Sequence, residues 1–295
     1  MTTINKLHLV ERAAERLLRS GSAPDLTGGA PPAGAEPVPP PASSLVGEAA
    51  ASDGHALIAA SALVQTGLIE SKAARNRVSE EFRLVQSQVL RAAFSQPGGE
   101  AGFTNLLMVT SARPKEGKSF TALNLAASIA RQGDRQVLLV DADAKRGSLC
   151  DSLGLGQAPG LLDLALAPML DPLPFLRPTE ISMLSFLPVG QQRGQRPELF
   201  ASDQMVRAMQ ALGRRFADRL VILDVSPCLS TSDPATLAPV VGQILFVIEA
   251  ERTQRDEVEA SLDLIQTCPT ITLLLNKVKM STPRSFGVYS YSYTS

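Results

Sequence analysis

The chain has 295 residues, a formal net charge of −1 at pH 7 and a pI of about 6.2. This length is enough for one sizeable α/β domain with appendages, and the absence of a basic excess argues against nucleic acid as a partner. The three cysteines (Cys150, Cys228 and Cys268) lack a metal-binding spacing, so we expect reduced, buried thiols in a cytosolic protein. No apolar run is long enough to span a membrane, and the first six residues lack a signal-peptide core. Any work at a membrane would therefore depend on another molecule that brings the protein there.

The first 70 residues are expected to lie outside the main domain. Residues 1–20 have the pattern of a short amphipathic helix, either a docking peptide or a frayed terminal helix. Residues 21–70 are predicted to be a largely disordered linker, because seven of the chain's 21 prolines fall between positions 24 and 41. Apolar residues at helical spacing then predict a leading helix over 71–94.

Strands and helices alternate along the main domain, which we place at residues 71–281. The predicted strands lie near 106–110, 136–140, 183–187, 219–223, 243–248 and 271–275. The predicted helices between them cover 119–131, 198–216 and 254–266. Because several strands are almost continuously apolar, both faces of the sheet should be buried under helices. The pattern predicts an α/β fold with a mostly parallel sheet and a ligand at the carboxyl ends of its strands.

The most informative motif is the tripeptide Gly117, Lys118 and Ser119, which stands between an apolar strand and a helix. Strand, turn, Gly-Lys-Ser and helix together form the context of a phosphate-binding loop. Free N–H groups and the positive dipole at the helix start attract phosphate. Lys118 is expected to reach the outer phosphates, and the Ser119 hydroxyl to bind Mg²⁺. Because Ala112 replaces the usual first glycine, a chance tripeptide in a surface turn is the alternative.

Two further apolar strands end in carboxylates. Asp141 and Asp143 follow residues 137–140, and their side chains point the same way if the strand continues. Asp224 follows residues 220–223 in a Walker B arrangement, in which the aspartate helps to hold Mg²⁺, usually through water. Either motif alone could be a solvated turn. With the Gly-Lys-Ser tripeptide, they predict a site for a nucleoside triphosphate with Mg²⁺.

The order of these motifs resembles that of the bacterial tyrosine autokinases, over roughly residues 75–295. The matching pieces are residues 110–119, Asp141-x-Asp143 and Asp224-x-x-Pro227. Within the family, the chain most resembles the cytosolic branch that serves exopolysaccharide synthesis, including the exosortase-associated group. The resemblance implies a doubly wound P-loop domain related to the partitioning ATPases. It also implies an ATP-dependent protein-tyrosine kinase that phosphorylates itself and regulates exopolysaccharide synthesis or export.

The resemblance assigns roles to the matching positions. Lys118, Asp141 and Asp143 would be catalytic, with Asp141 orienting or deprotonating the incoming tyrosine, whose hydroxyl is a poor nucleophile at neutral pH. Ser119, Asp143 and Asp224 would hold Mg²⁺. The residues implied to bind ATP are Arg113, Pro114, Lys115, Glu116, Gly117, Lys118, Ser119, Phe120, Asn276 and Lys277.

All three tyrosines, Tyr289, Tyr291 and Tyr293, lie in the last seven residues. This alternating segment alone would favour a strand with edge-pairing potential. Beside a phosphoryl-transfer site, we expect residues 282–295 to be a flexible tail whose tyrosines accept phosphate. Each phosphate would add about −1.5 to −2 charge, a large local change that could release the tail or dissolve an assembly.

The resemblance also implies assembly and partners. Family members associate through an E-x-x-R-x-x-R helix, and Glu80, Arg83 and Gln86 occupy those spacings here. Glu80 and Arg83 are the expected contacts of a homo-oligomer, and the missing second arginine weakens that device. A separate inner-membrane polysaccharide co-polymerase, of the chain-length-control type, would activate the kinase and hold it, otherwise cytoplasmic, at the membrane. The resemblance also implies a cognate tyrosine phosphatase as a partner.

Two departures from the family keep other functions open. Lys115 stands where family members usually have glycine, which has more backbone freedom. Lys145 stands where they usually have arginine, and lysine cannot make the bidentate contact of a guanidinium group. One alternative is a partitioning or positioning ATPase, although Arg113 occupies the place of that group's signature lysine. The other is a regulatory scaffold that binds nucleotide without transferring phosphate.

Overall fold

The computed structural model of the protein describes residues 57–65, 77–94, 103–143, 145, 147–191 and 197–278. The predicted N-terminal helix, most of the predicted linker and the tyrosine-bearing tail lie outside these residues. In the part of the chain that is described, no helix is both long and apolar enough to cross a membrane. All three cysteines are buried, as expected, and they form no disulfide bond.

One sheet contains the seven strands found among the described residues. They are β1 (Phe103–Ser111), β2 (Val137–Ala142), β3 (Arg177–Pro178), β4 (Leu184–Leu187), β5 (Leu220–Val225), β6 (Val241–Glu249) and β7 (Ile271–Asn276). Their order is β3-β4-β2-β5-β1-β6-β7, and only the β3–β4 pair in this sheet is antiparallel. The predicted mostly parallel α/β fold is therefore confirmed. The two-residue β3 was not predicted because so short a strand carries no periodicity.

Eight α-helices occur in the described ranges. They are α1 (Ala60–Gln65), α2 (Arg77–Phe94), α3 (Lys118–Gln132), α4 (Leu149–Ser152), α5 (Leu161–Leu166), α6 (Asp203–Arg215), α7 (Asp233–Leu237) and α8 (Arg255–Ile265). The predicted helices over 119–131 and 254–266 are confirmed. Of the leading helix predicted over 71–94, residues 71–76 lie outside the described part of the chain, and the remainder forms α2. Helix α6 starts five residues later than predicted. It starts there because the Ser202 side chain accepts the Met205 N–H as an N-cap, and a 3₁₀ turn (Pro197–Ala201) precedes it.

The central strands bring the acidic positions to one edge of the sheet. Every residue of β2 and β5 is buried, which requires cover on both faces, as the apolar runs predicted. In the parallel register Asp141 lies beside Asp224, and Asp224 lies beside Val109 of β1. Since parallel strands all end at the same edge, β1 delivers the Gly-Lys-Ser tripeptide there too.

A short segment ahead of the main domain is ordered against the sheet. The Ile58 N–H donates to the Pro178 carbonyl at 3.0 Å, and the Glu180 N–H donates to the Ile58 carbonyl at 3.0 Å. Leu63 of α1 is fully buried. Residues 57–65 thus differ from the linker predicted over 21–70, because backbone hydrogen bonds join Ile58 to the β3 edge.

Candidate functional site

The loop between β1 and α3 has the backbone of a phosphate-binding turn. Gly117 has a φ of 101°, and a β-carbon there would overlap the side-chain amide of Asn276, so no other residue fits without displacement. Lys115 is also left-handed, with a φ of 71°. That conformation costs a residue with a β-carbon roughly 1–2 kcal/mol, so glycine would fit this position without that strain.

Glu116 fastens the loop from inside. Its side chain, only 2% exposed, accepts the Arg113 N–H at 2.8 Å and the Thr253 hydroxyl. The Asn276 amide donates to the Glu116 carbonyl at 2.8 Å. These bonds join the loop to the turn after β6 and to the end of β7. The loop is therefore held in shape by elements more than 130 residues further along the chain.

Lys277 closes the outer side of the loop. Its ammonium group donates to the Lys115 carbonyl at 2.6 Å and pairs with the Glu249 carboxylate at 3.2 Å. A cavity beside the loop is lined by Arg113, Pro114, Glu116, Glu249, Arg252 and Thr253. The predicted nucleotide-binding residues at the two ends of the domain, 113–119 and 276–277, are therefore neighbours.

Lys118 is the centre of the site. Its ammonium nitrogen lies 2.7 Å from Asp143 Oδ2 and 3.2 Å from Asp224 Oδ1, and it donates to Ser119 Oγ at 3.1 Å. Burial opposes its charge, since the residue is only 8% exposed, but the attraction of Asp224 and Asp143 outweighs burial and raises the pKa of Lys118. A permanently charged lysine therefore stands at the first turn of α3.

The pKa values of the two carboxylates that contact Lys118 are shifted in opposite directions. Burial raises the pKa of Asp224 to about 6, against the pull of Lys118. The pKa of Asp143 is lowered, because the attraction of Lys118 outweighs the effect of burial there. Among the residues described, Asp224 Oδ2 is buried and has no hydrogen-bond partner. An unsatisfied buried carboxylate oxygen is unfavourable on its own and is explained by a water or cation that it could bind.

Asp141 serves the turn rather than Lys118. Its Oδ1 accepts the Asp143 N–H at 3.1 Å and its Oδ2 accepts the Cys150 N–H at 2.8 Å, while burial raises its pKa. Because β2 ends at Ala142, the condition for parallel side chains is not met, and Asp141 and Asp143 have different partners. The expectation of a shared direction, which depended on a continued strand, therefore does not apply here.

The residues present fit a magnesium ion bound together with phosphate. In the described ranges, no group of three or more His, Cys, Asp or Glu side chains forms a dedicated metal centre. Mg²⁺ in phosphate sites needs fewer protein ligands, since phosphate and water oxygens complete its octahedron. Ser119, Asp143 and Asp224 converge on Lys118 and would supply one hydroxyl and two carboxylates, and Asp224 Oδ2 is ready to accept.

Other predicted residues are placed less simply. The Phe120 ring centre lies 6.4 Å from that of Phe82, so this side chain faces α2. Arg113 is half-exposed, 3.5 Å from the Glu257 carboxylate. The three tyrosines lie outside the described residues, so their role stays a prediction.

Part of α2, the helix that carries the expected assembly motif, packs against another helix of the same chain. Arg83 is exposed on α2, and Glu80 lies on the same helix, though its side chain is outside the description. Gln86, only 6% exposed, contacts Gln132 and accepts the Ser128 hydroxyl at 3.0 Å, both on α3. The third position of the expected motif therefore packs within the chain.

Sequence reasoning missed three supporting side chains. Glu249 is the last residue of β6 and pairs with Lys277 beside the loop, and Thr253 follows β6 and donates to Glu116. Ser226 follows β5 and donates to Asp143. A strand-end position could have pointed to Ser226 and Glu249. Nothing near Thr253 in the sequence indicates that it reaches a residue 137 positions away.

No protein-family model matches the chain. The tyrosine-protein kinase Wzc of Salmonella typhimurium is 30% identical over 195 residues, which cover 65% of this chain and 27% of Wzc. The kinase domain of the Escherichia coli tyrosine kinase ETK superposes with a TM-score of 0.59 at 26% identity, covering 75% of this chain and 84% of that domain. Over most of its length, the chain is similar in sequence and fold to bacterial tyrosine kinases.

A third similar protein is named for polysaccharide biosynthesis. The succinoglycan biosynthesis transport protein ExoP of Rhizobium meliloti is 31% identical over 229 residues, covering 74% of this chain and 27% of ExoP. The chain thus spans about a quarter of the length of Wzc and ExoP. The similarity concerns that part of each protein and not the remainder.

Proposed function

We propose that the chain is an ATP-dependent, Mg²⁺-requiring protein-tyrosine kinase that phosphorylates its own Tyr289, Tyr291 and Tyr293. The observation that carries the proposal is the buried contact of Lys118 with Asp143 and Asp224 at the end of a phosphate-binding loop. Similarity to proteins named as tyrosine kinases supports tyrosine as the acceptor. In the reaction, the bond between the terminal phosphorus of ATP and the bridging oxygen breaks, and that oxygen leaves with ADP. A new bond forms between the phosphorus and the phenolic oxygen of the tyrosine.

The side chains divide the work of binding and stabilisation. The backbone N–H groups at the start of α3 would hold the phosphates, and Lys118 would exchange a carboxylate for a phosphate oxygen. Magnesium, when bound, would neutralise part of the phosphate charge. Ser119, Asp143 and Asp224 would be its protein ligands. Glu116 and Lys277 would keep the loop in shape from its two sides.

The phenolic proton must leave as the new bond forms. Asp141 is the proposed acceptor or orienting group, and its raised pKa suits a proton acceptor. Asp141 is fully buried, and its two oxygens already accept the N–H groups of Asp143 and Cys150, so the tyrosine hydroxyl would have to reach a remaining lone pair. If it does not reach one, Asp141 acts by fixing the turn that carries Asp143.

The cellular setting is also a proposal. Similarity to a succinoglycan biosynthesis transport protein supports a role in exopolysaccharide synthesis or export. The branch we propose is the cytosolic one that includes the exosortase-associated group. A separate inner-membrane polysaccharide co-polymerase would activate the kinase and hold it, otherwise cytoplasmic, at the membrane. We further propose homo-oligomers, with Glu80 and Arg83 among the contacts, and a cognate tyrosine phosphatase.

Incubation of the purified full chain with Mg-ATP, followed by phosphotyrosine immunoblotting and a free-phosphate assay, tests the reaction. We expect phosphotyrosine in the wild type and at least about 100-fold less in Lys118→Met, because one transition-state contact is lost. Replacing the three tyrosines by phenylalanine should abolish the signal and leave nucleotide binding intact. Released phosphate without phosphotyrosine would favour a switch ATPase, and bound nucleotide without either would favour a scaffold.

A further inference from the structure

The hydroxyl of Ser226 ties two of the strand ends at the site together. Ser226 comes directly after β5 and is fully buried. Its hydroxyl donates to Asp143 Oδ1 at 2.7 Å, and Asp143 lies just beyond the end of β2. Ser226 and Asp143 are 83 positions apart, so this bond fixes the end of one strand against the end of another.

Ser226 is itself held firmly. The Thr110 hydroxyl, on β1, donates to the Ser226 carbonyl at 2.7 Å. Ser226 also continues directly from β5, which is buried along its whole length. A donor anchored from two elements can impose a direction on its acceptor, whereas a mobile surface hydroxyl cannot.

The three bonds to the Asp143 carboxylate have different consequences. Oδ1 accepts from Ser226 and from the Lys145 N–H at 3.1 Å, and Oδ2 faces the Lys118 ammonium at 2.7 Å. The Lys145 bond is local to the turn after β2, so it moves with Asp143. The Ser226 bond comes from the strand that carries Asp224, so it sets the position of Asp143 relative to Asp224.

We propose that Ser226 is a positioning residue that sets the geometry of the Asp143 and Asp224 carboxylates for a divalent cation. This inference rests on the proposed function, because it takes these carboxylates as the cation ligands. Mg²⁺ demands near-ideal octahedral geometry, and a binding constellation must be held to within about 0.5 Å, so loss of one anchored bond should be felt at the metal.

Magnesium-dependent binding of ADP to the purified full chain, measured by calorimetry with and without metal, tests this role. Ser226→Ala should weaken Mg²⁺ binding to the ADP complex about tenfold, the usual cost of one hydrogen bond to a charged group. ADP affinity without metal should stay within about twofold, since Ser226 does not touch the phosphate loop. Ser226→Thr, which keeps the hydroxyl, should restore most of the metal affinity.

Ser261→Ala is the matched control. Ser261 is equally buried, but its hydroxyl donates to the Glu257 carbonyl within α8, so metal affinity should not change. Equal losses with and without metal in Ser226→Ala, unchanged metal affinity, or a threonine variant no better than alanine would overturn the proposal.

The outcome is separable from that of the kinase proposal. A wild type that shows this metal-dependent binding, and its loss in Ser226→Ala, but forms no phosphotyrosine would contradict the kinase and uphold Ser226. A wild type whose ADP binding does not depend on magnesium would overturn both.

Discussion

The buried carboxyl group of Asp224 should make the nucleotide-free protein less stable as the pH rises. Burial raises its pKa from 3.8 to about 6, although the charge of Lys118 pulls the other way. The folded state therefore keeps a proton that the unfolded state has already released. Stability from such a group is fully present below the unfolded pKa and is lost as the pH rises through the folded pKa.

The shift of about two pH units corresponds to about 3 kcal/mol of unfolding free energy, lost between about pH 4 and about pH 6. Asp143 acts in a different range and with the opposite sign. Its pKa is lowered by Lys118, so its contribution is lost only as the pH falls below about 4. The two effects can therefore be distinguished in one titration.

Asp224→Asn isolates the effect, because the amide has the shape of the protonated acid and cannot titrate. We expect the unfolding free energy of the variant, minus that of the wild type, to rise by up to about 3 kcal/mol from about pH 4 to about pH 7. Urea unfolding followed by circular dichroism, in EDTA and without nucleotide, measures it at each pH. Asp218→Asn is the control, because this exposed aspartate has a pKa lowered by its bond with Arg219 and should show no such rise. A difference for Asp224→Asn that stays flat, or falls with pH, would refute the reasoning.

Three substitutions test other parts of the site by urea unfolding. Lys115→Gly should raise the unfolding free energy by about 1 kcal/mol, because it removes the strain of a left-handed residue that has a β-carbon. Glu251→Gly, which makes the same change at another left-handed position, is the control. A lower unfolding free energy in Lys115→Gly would contradict the presence of strain. Thr253→Val should lower it by about 2 kcal/mol because the buried Glu116 carboxylate loses a donor, whereas Thr253→Ser should keep most of it; equal effects of the two would argue against this bond. Gln86→Arg, which completes the expected assembly motif, should cost about 2 kcal/mol because that side chain is buried against α3, and a variant as stable as the wild type would show that Gln86 is not held there.

The parts of the fold that sequence could predict are those with local signals. The strands carry continuous apolar runs, such as the run through β2, whose burial on both faces follows directly. The phosphate loop could be located because Gly117, Lys118 and Ser119 stand between a strand and a helix. Asp224 could be placed near them because parallel strands share one carboxyl edge.

The parts that could not be predicted depend on contacts between distant residues. The bond from Thr253 to Glu116 spans 137 positions, and the sequence around either residue contains no pattern that predicts it. The partners of Asp141 depend on β2 ending one residue earlier than a continued strand would, at Ala142. Gln86 looks like a surface position in a helical motif until the packing of α2 on α3 buries it. Such contacts follow from tertiary packing, which local patterns do not encode.

The central claim, that this site transfers phosphate to the chain's own tyrosines, is tested most directly by phosphopeptide mass spectrometry after incubation with Mg-ATP. Wild type and Lys118→Met would be compared under conditions in which the wild type binds the nucleotide. Phosphate on Tyr289, Tyr291 or Tyr293 in the wild type, and absent from Lys118→Met, is the predicted result. Bound Mg-ATP with all three tyrosines unmodified, or equal modification in the two proteins, would contradict it.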